Sequence, residues 1–122
     1  MKRILVVDDD SSVLQMLSRA LSEYDLTLAR DGHEALALAD RQGRLDLLIT
    51  DYMMPEMTGD ELIARMRALR PNLKALVLTG HSDTLDHESP DWWRAEAHLK
   101  KPFGIQALRA RVAELIDAVD AR

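Results

Sequence analysis

Short apolar runs alternate with longer stretches of helical periodicity along most of this chain, and no other feature constrains the fold as strongly. Ile4 to Val7 is rich in β-branched residues and reads as a buried strand. Asp10, Ser11 or Ser12 can cap the next segment, where Val13, Leu14, Leu17, Ala20 and Leu21 recur at helical spacing. Leu26 to Ala29 is a weaker second strand, broken by Asp31-Gly32. Ala35, Leu36, Leu38 and Ala39 then lie on a second helix, which Gly43 ends. Leu45 to Thr50, interrupted by Asp46, gives a third strand, and Asp51 follows it. Pro55 and Gly59 mark a loop, and Leu62, Ile63, Met66 and Leu69 give a third helix ended by Pro71. Lys74 to Thr79 is the fourth strand, and Ala97 to Lys100 is a short fifth. Ile105, Leu108, Val112, Leu115, Ile116 and Val119 form the stripe of a closing helix. Gly80 to Glu96 should hold a fourth helix, yet Pro90 falls in its middle and its apolar spacing is poor.

Five strands alternating with helices predict a parallel sheet covered on both faces, in an α/β domain spanning 1–122. A hydrophobic fraction of 47% supplies enough apolar material for one core, and with aromatics at only 4% the packing falls to aliphatic and Met side chains. The formal charge of −5 argues against direct nucleic-acid binding through a basic face. The absence of cysteine excludes disulfides, thiolate metal sites and thiol nucleophiles. The N-terminal apolar run ends after Val7 in three aspartates, far short of the roughly 7–15 residues of a secretory core segment. The expectation is a cytoplasmic protein without membrane insertion. The starting Met and closing helix favour a stand-alone protein.

In an open parallel sheet, ligands bind beyond the carboxyl ends of the strands. Asp8, Asp9 and Asp10 follow the first strand, Asp51 the third, Thr79 and Gly80 end or follow the fourth, and Lys101-Pro102 follows the fifth. The strand order 2-1-3-4-5 would bring Asp8, Asp9 and Asp51 together, with Thr79 and Lys101 nearby. Crowded carboxylates repel one another, and a hard divalent cation such as magnesium relieves the repulsion. A carboxylate can accept a phosphoryl group covalently. Thr79 can donate a hydrogen bond to a phosphoryl oxygen, Lys101 can supply a positive charge, and Gly80 leaves room. Positioning and charge stabilisation of this kind are what phosphoryl transfer chiefly requires.

The residues Val6-Val7-Asp8-Asp9-Asp10, Asp51-Tyr52-Met53-Met54-Pro55, Thr79-Gly80 and Lys101-Pro102-Phe103 together resemble the response-regulator receiver family of two-component and phosphorelay signalling. The resemblance runs in the right order over nearly the whole chain, and it is that of a stand-alone, chemotaxis-receiver-like domain. It implies a flavodoxin-like (βα)5 sandwich. It also implies that Asp51 is the phosphoryl acceptor and that Asp8, Asp9, Asp51 and the Met53 main-chain carbonyl hold Mg2+. Thr79 and Lys101 would bind the phosphoryl oxygens. The donor would be a phosphohistidine on a sensor histidine kinase or a histidine phosphotransfer protein, or a small molecule such as acetyl phosphate. Such a domain is a switch that catalyses its own phosphorylation and dephosphorylation rather than an enzyme acting on a metabolite.

Two departures from the family pattern stand out. Family members carry Tyr or Phe three residues before the Lys, as a ring that turns inward on activation; here that position is His98. The segment His87-Glu88-Ser89-Pro90-Asp91-Trp92-Trp93 replaces the usual Ala-rich helix and more nearly resembles receivers attached to hybrid sensor kinases. In this family the residues two after the acceptor and two after the Thr sit beside the attacking water, and here they are Met53 and His81. Of the two tryptophans, at least one is expected to fold back onto the domain. The four histidines fall on different elements, so no histidine metal centre is expected. Asp10 reads as a cap and Lys100 as a surface residue.

Two other functions fit parts of the sequence. A haloacid-dehalogenase-type phosphatase would use Asp8 as nucleophile and Asp10 as acid/base, but it needs a later acidic pair, and Glu114, Asp117 and Asp120 lie on the last helix. It also leaves Asp51 and the Pro55–Gly59 loop unexplained. A receiver-like interaction module, accepting phosphate but transmitting it weakly, is the second alternative, and His98 is its motive.

Overall fold

The computed structural model describes residues 1–41, 43–80 and 82–117. Its elements run β1 (Arg3–Val7), α1 (Ser11–Ala20), β2 (Asp25–Ala29), α2 (Gly32–Asp40), β3 (Leu47–Asp51) and α3 (Gly59–Leu69). They continue with β4 (Ala75–Thr79), α4 (Ser82–Glu88), α5 (Asp91–Ala95), β5 (Ala97–Lys100) and α6 (Ile105–Asp117). The strands form one parallel sheet, as the alternation of runs predicts, and their order is β2-β1-β3-β4-β5.

Side chains alternate across a strand, and here the alternation divides the core in two. Leu5, Val7, Leu48, Ala75 and Val77 face Ala35 and Ala39 of α2 and Leu62, Ile63 and Met66 of α3. Ile4, Val6, Leu47, Ile49, Leu76 and Leu78 face Leu14 and Leu17 of α1 and Leu108, Val112 and Ile116 of α6. Strands buried on both faces explain the unbroken apolar runs. Met54, Met57 and Met66 fill the first of these layers where aromatics are scarce. No helix among the described residues is long and apolar enough to cross a membrane.

The element boundaries differ from expectation in a few places. Helix α2 ends at Asp40 with Arg41 as its C-cap, before Gly43. Strand β3 starts at Leu47, because the Asp46 carboxylate turns back to accept the Arg3 amide N–H at 2.8 Å, and it includes Asp51. Leu69 and Ile105 sit on helical stripes yet are exposed, being terminal residues of their helices. The fourth helix is instead two. Helix α4 stops at Glu88, Ser89 takes a left-handed φ of 46°, and Pro90 is the N-cap of α5. Pro90 has no N–H to continue α4 but fits an N-terminal cap. Val119 and Asp120 lie outside the described residues.

Candidate functional site

The sheet register builds the site. Val7 of β1 stands beside Thr50 of β3, so the next residues, Asp8 and Asp51, leave the sheet as neighbours. Asp51 stands beside Leu78 of β4, and Thr79 stands beside Lys100 of β5, which puts Thr79 and Lys101 at the same end. One ligand oxygen from each of Asp8, Asp9 and Asp51 lies within 4.8 Å of the others. Among the described residues, these are the only acidic or histidine side chains grouped closely enough to hold a metal ion. Asp8 and Asp51 are buried, whereas Asp9 is exposed.

Lys101 joins the two buried carboxylates. Its Nζ stands 3.0 Å from Asp8 Oδ2 and 3.3 Å from Asp51 Oδ1. The Asp51 Oδ1 also accepts the Tyr52 backbone N–H at 2.9 Å, and Asp8 Oδ1 accepts the Asp10 backbone N–H at 2.9 Å. Burial pushes the Asp51 carboxyl up to about 6, the negative charge of Asp8 adds to this, and Lys101 opposes it. Burial works against the charge on Lys101, but the hydrogen bond to Asp8 and the charges of Asp51 and Asp8 outweigh it and raise its pKa. The Lys101–Pro102 peptide bond is cis.

Three hard oxygen donors, with one carboxyl resisting ionisation, form a donor set that suits a small divalent cation. Thr79 is fully buried at the end of β4, and its carbonyl accepts the Lys101 N–H at 2.9 Å. Gly80 faces open space, with nothing within 4 Å of where a Cβ would stand. Met53 projects a half-exposed side chain from the β3–α3 loop. In that loop Glu56 has φ 68°, and the Met57 N–H donates to the Pro55 carbonyl at 2.8 Å in a tight three-residue turn.

Other predicted residues fall into structural roles. Asp10 is exposed and caps α1 by accepting the Ser12 N–H at 2.9 Å, so the phosphatase reading loses its acid/base residue to a cap. Lys100 points to solvent toward Asp83 at 3.6 Å. His33 and His87 are exposed on α2 and α4, and His98 is half-buried on β5, so these three form no cluster. His81 lies outside the described residues.

Two features escaped the sequence reading. The Tyr52 amide that holds Asp51 depends on the backbone path at the end of β3. Gly59 opens α3 so close to β3 that a Cβ there would stand 2.5 Å from the Asp51 carbonyl oxygen, a backbone atom that cannot swing away. The fold-back expected of at least one tryptophan is made by both. Trp92 stacks on Tyr52, and Trp93, 3% exposed, stacks on His98.

The chain matches the family described as response regulator receiver domain over residues 4–113. It is 39% identical over 116 residues to the response regulator MprA of Mycobacterium leprae (strain TN), covering 93% of this chain and 50% of that protein. The chain thus spans about half the length of the curated relatives it matches. Among solved structures it is similar to the chemotaxis protein CheY4 of Vibrio cholerae, with a TM-score of 0.83 and 33% identity over 94% of this chain and 98% of that one. It is also similar to the response regulator TrrA of Thermotoga maritima in complex with Mg2+-BeF, with a TM-score of 0.80 and 33% identity over 94% and 99% of the two chains.

Proposed function

The chain belongs to the response-regulator receiver family, and from that premise we propose that Asp51 accepts a phosphoryl group in two-component signal transduction. The observation that carries this reading is the convergence of Asp8, Asp9 and Asp51 within 4.8 Å, with Lys101 bridging the two buried carboxylates.

The Asp51 carboxylate attacks phosphorus, the phosphohistidine P–N bond breaks as the O–P bond forms, and the imidazole leaves with the bonding electrons. Because Oδ1 is held by the Tyr52 amide and Lys101, the other oxygen is the one we assign to attack. Asp8, Asp9, Asp51 and the Met53 main-chain carbonyl would hold Mg2+, which when bound offsets the negative charge of carboxylates and phosphoryl oxygens. Lys101 transfers its ammonium from the carboxylates toward the new phosphoryl group, and Thr79 donates its hydroxyl to another phosphoryl oxygen. Donors fixed in a buried site do this with little reorganisation.

The Met53 thioether is only a weak acceptor with no donor to orient a water, so hydrolysis of phosphorylated Asp51 is not expected to be unusually fast. The donor is a phosphohistidine of a sensor histidine kinase or histidine phosphotransfer protein, and the place of action is the cytoplasm. The domain is a switch whose loops after β3 and β4 shift on phosphorylation, biasing an equilibrium between two pre-existing conformations.

Labelling with acetyl phosphate and Mg2+ tests the acceptor. Wild type should gain one acid-labile phosphate and Asp51→Asn none, with both folded by circular dichroism. Wild-type stoichiometry in Asp51→Asn would refute the assignment, and label on Asp8 would revive the phosphatase reading.

A further inference from the structure

Four rings stand in series between the acceptor strand and the sheet edge. Tyr52 directly follows Asp51, and its ring lies 5.1 Å from that of Trp92, at 25°. Trp92 meets Trp93 edge-on, 5.7 Å away at 81°. Trp93 lies face to face with His98 of β5, with centroids 3.5 Å apart and planes 11° apart. The Trp93 indole N–H donates to Asp86 Oδ1 on α4 at 2.9 Å. At the far end of α5, the Glu96 carboxylate takes both guanidinium arms of Arg67 on α3. Helix α5 is thereby fastened to the chain beside Asp51, to α4, to α3 and to β5.

This arrangement bears on how His98 can move. The imidazole lies flat against an indole that is itself 3% exposed and hydrogen-bonded. To turn inward alone, it would have to leave that face and open a gap beneath a buried tryptophan, and close-packed interiors resist such gaps. A displacement of Tyr52, by contrast, reaches Trp92 through stacked faces and Trp93 through the edge contact. Packed elements of this kind shift between discrete arrangements as units.

We propose that α5 is a clasp: Trp92 and Trp93 couple the acceptor strand to His98, so that α5, His98 and the Asp86 end of α4 move as one body when Asp51 is phosphorylated. The clasp replaces the independent rotation of a single ring on β5. It rests on the reading of Asp51 as acceptor, and Trp92 acts as a positioning residue outside the acidic pocket.

The test uses 15N-labelled protein with Mg2+ and beryllofluoride, following the Trp93 indole N–H and His98 imidazole resonances while 19F resonances report bound fluoride. In wild type, fluoride binds and both resonances shift. Trp92→Phe, which keeps a ring, should retain the shifts. Trp92→Ala should still bind fluoride but lose at least half of the shift at both Trp93 and His98. Trp92→Leu, which keeps apolar bulk without a ring, gives the same answer if the alanine variant does not fold. Bound fluoride with full wild-type shifts in the Ala or Leu variant overturns the clasp, as does bound fluoride in wild type with Trp93 unmoved. No bound fluoride in wild type removes the acceptor reading and the clasp with it.

Discussion

Asp51 carries two opposing demands. As the proposed nucleophile it must ionise, yet burial and the charge of Asp8 push its carboxyl up to about 6. A carboxyl raised on folding adds stability only while protonated, so that contribution is complete below the ordinary value of 3.8 and is lost as pH rises through about 6. Without metal, Asp51→Asn should therefore stabilise the fold at pH 7.5, by on the order of 1–2 kcal/mol. The advantage should shrink toward pH 5, as the wild-type group takes up its proton. Urea melts in EDTA at both pH values measure this, and an equal loss of stability at both would contradict it. At this scale the sequence was most informative. Asp8, Asp9, Asp51, Thr79 and Lys101 could be picked out because strand ends in a parallel sheet concentrate at one edge. Tyr52 and Gly59 could not, because one acts through its amide and the other through a missing Cβ, and both depend on how β3 meets α3.

At the scale of elements, the strands and long helices were legible because each repeats one period over a buried face. The α4–α5 segment was not, because its order comes from contacts distant in sequence: Trp92 on Tyr52, Trp93 on His98 and Arg67 with Glu96. Pro90 marked the break, but nothing local showed which side of it was helical. The junction has a weak point at Ser89, whose N–H donates to the Leu85 carbonyl at 2.7 Å while its φ of 46° suits glycine better. Ser89→Gly should raise stability by about 0.5–1 kcal/mol, since relief of the left-handed strain exceeds the added freedom of the unfolded chain. The urea midpoint checks it, and a lower midpoint would show that the serine side chain contributes more than the strain costs. His98 belongs to this scale too. Its pKa is lowered by burial, opposed by Asp86 and assisted by Arg111, so the ring enters the stack on Trp93 biased toward the neutral form.

For the whole molecule, the sheet separates two apolar layers and gathers its polar buried residues at one end, where Asp8, Thr50, Asp51 and Thr79 lie. Metal binding at that end is therefore linked to folding of the entire domain. Mg2+ at a hundredfold excess over its Kd should stabilise the fold by about 2.7 kcal/mol. With Asp51 as a proposed metal ligand, proton and metal would compete there, so affinity should fall as pH drops below about 6, approaching tenfold per pH unit. Calorimetric titration between pH 5 and 8 measures this, and a pH-independent Kd would exclude Asp51 as a ligand.

The lysine shared between Asp8 and Asp51 sets the electrical balance of the resting pocket. Counting Asp9, three carboxyl groups face the single ammonium, a formal excess of two negative charges that one divalent cation would match. In the proposed site, Lys101 thus sets the charge left for a metal ion to offset before any phosphoryl group arrives. A monovalent ion would leave the pocket short of neutrality, and a trivalent one would overshoot it.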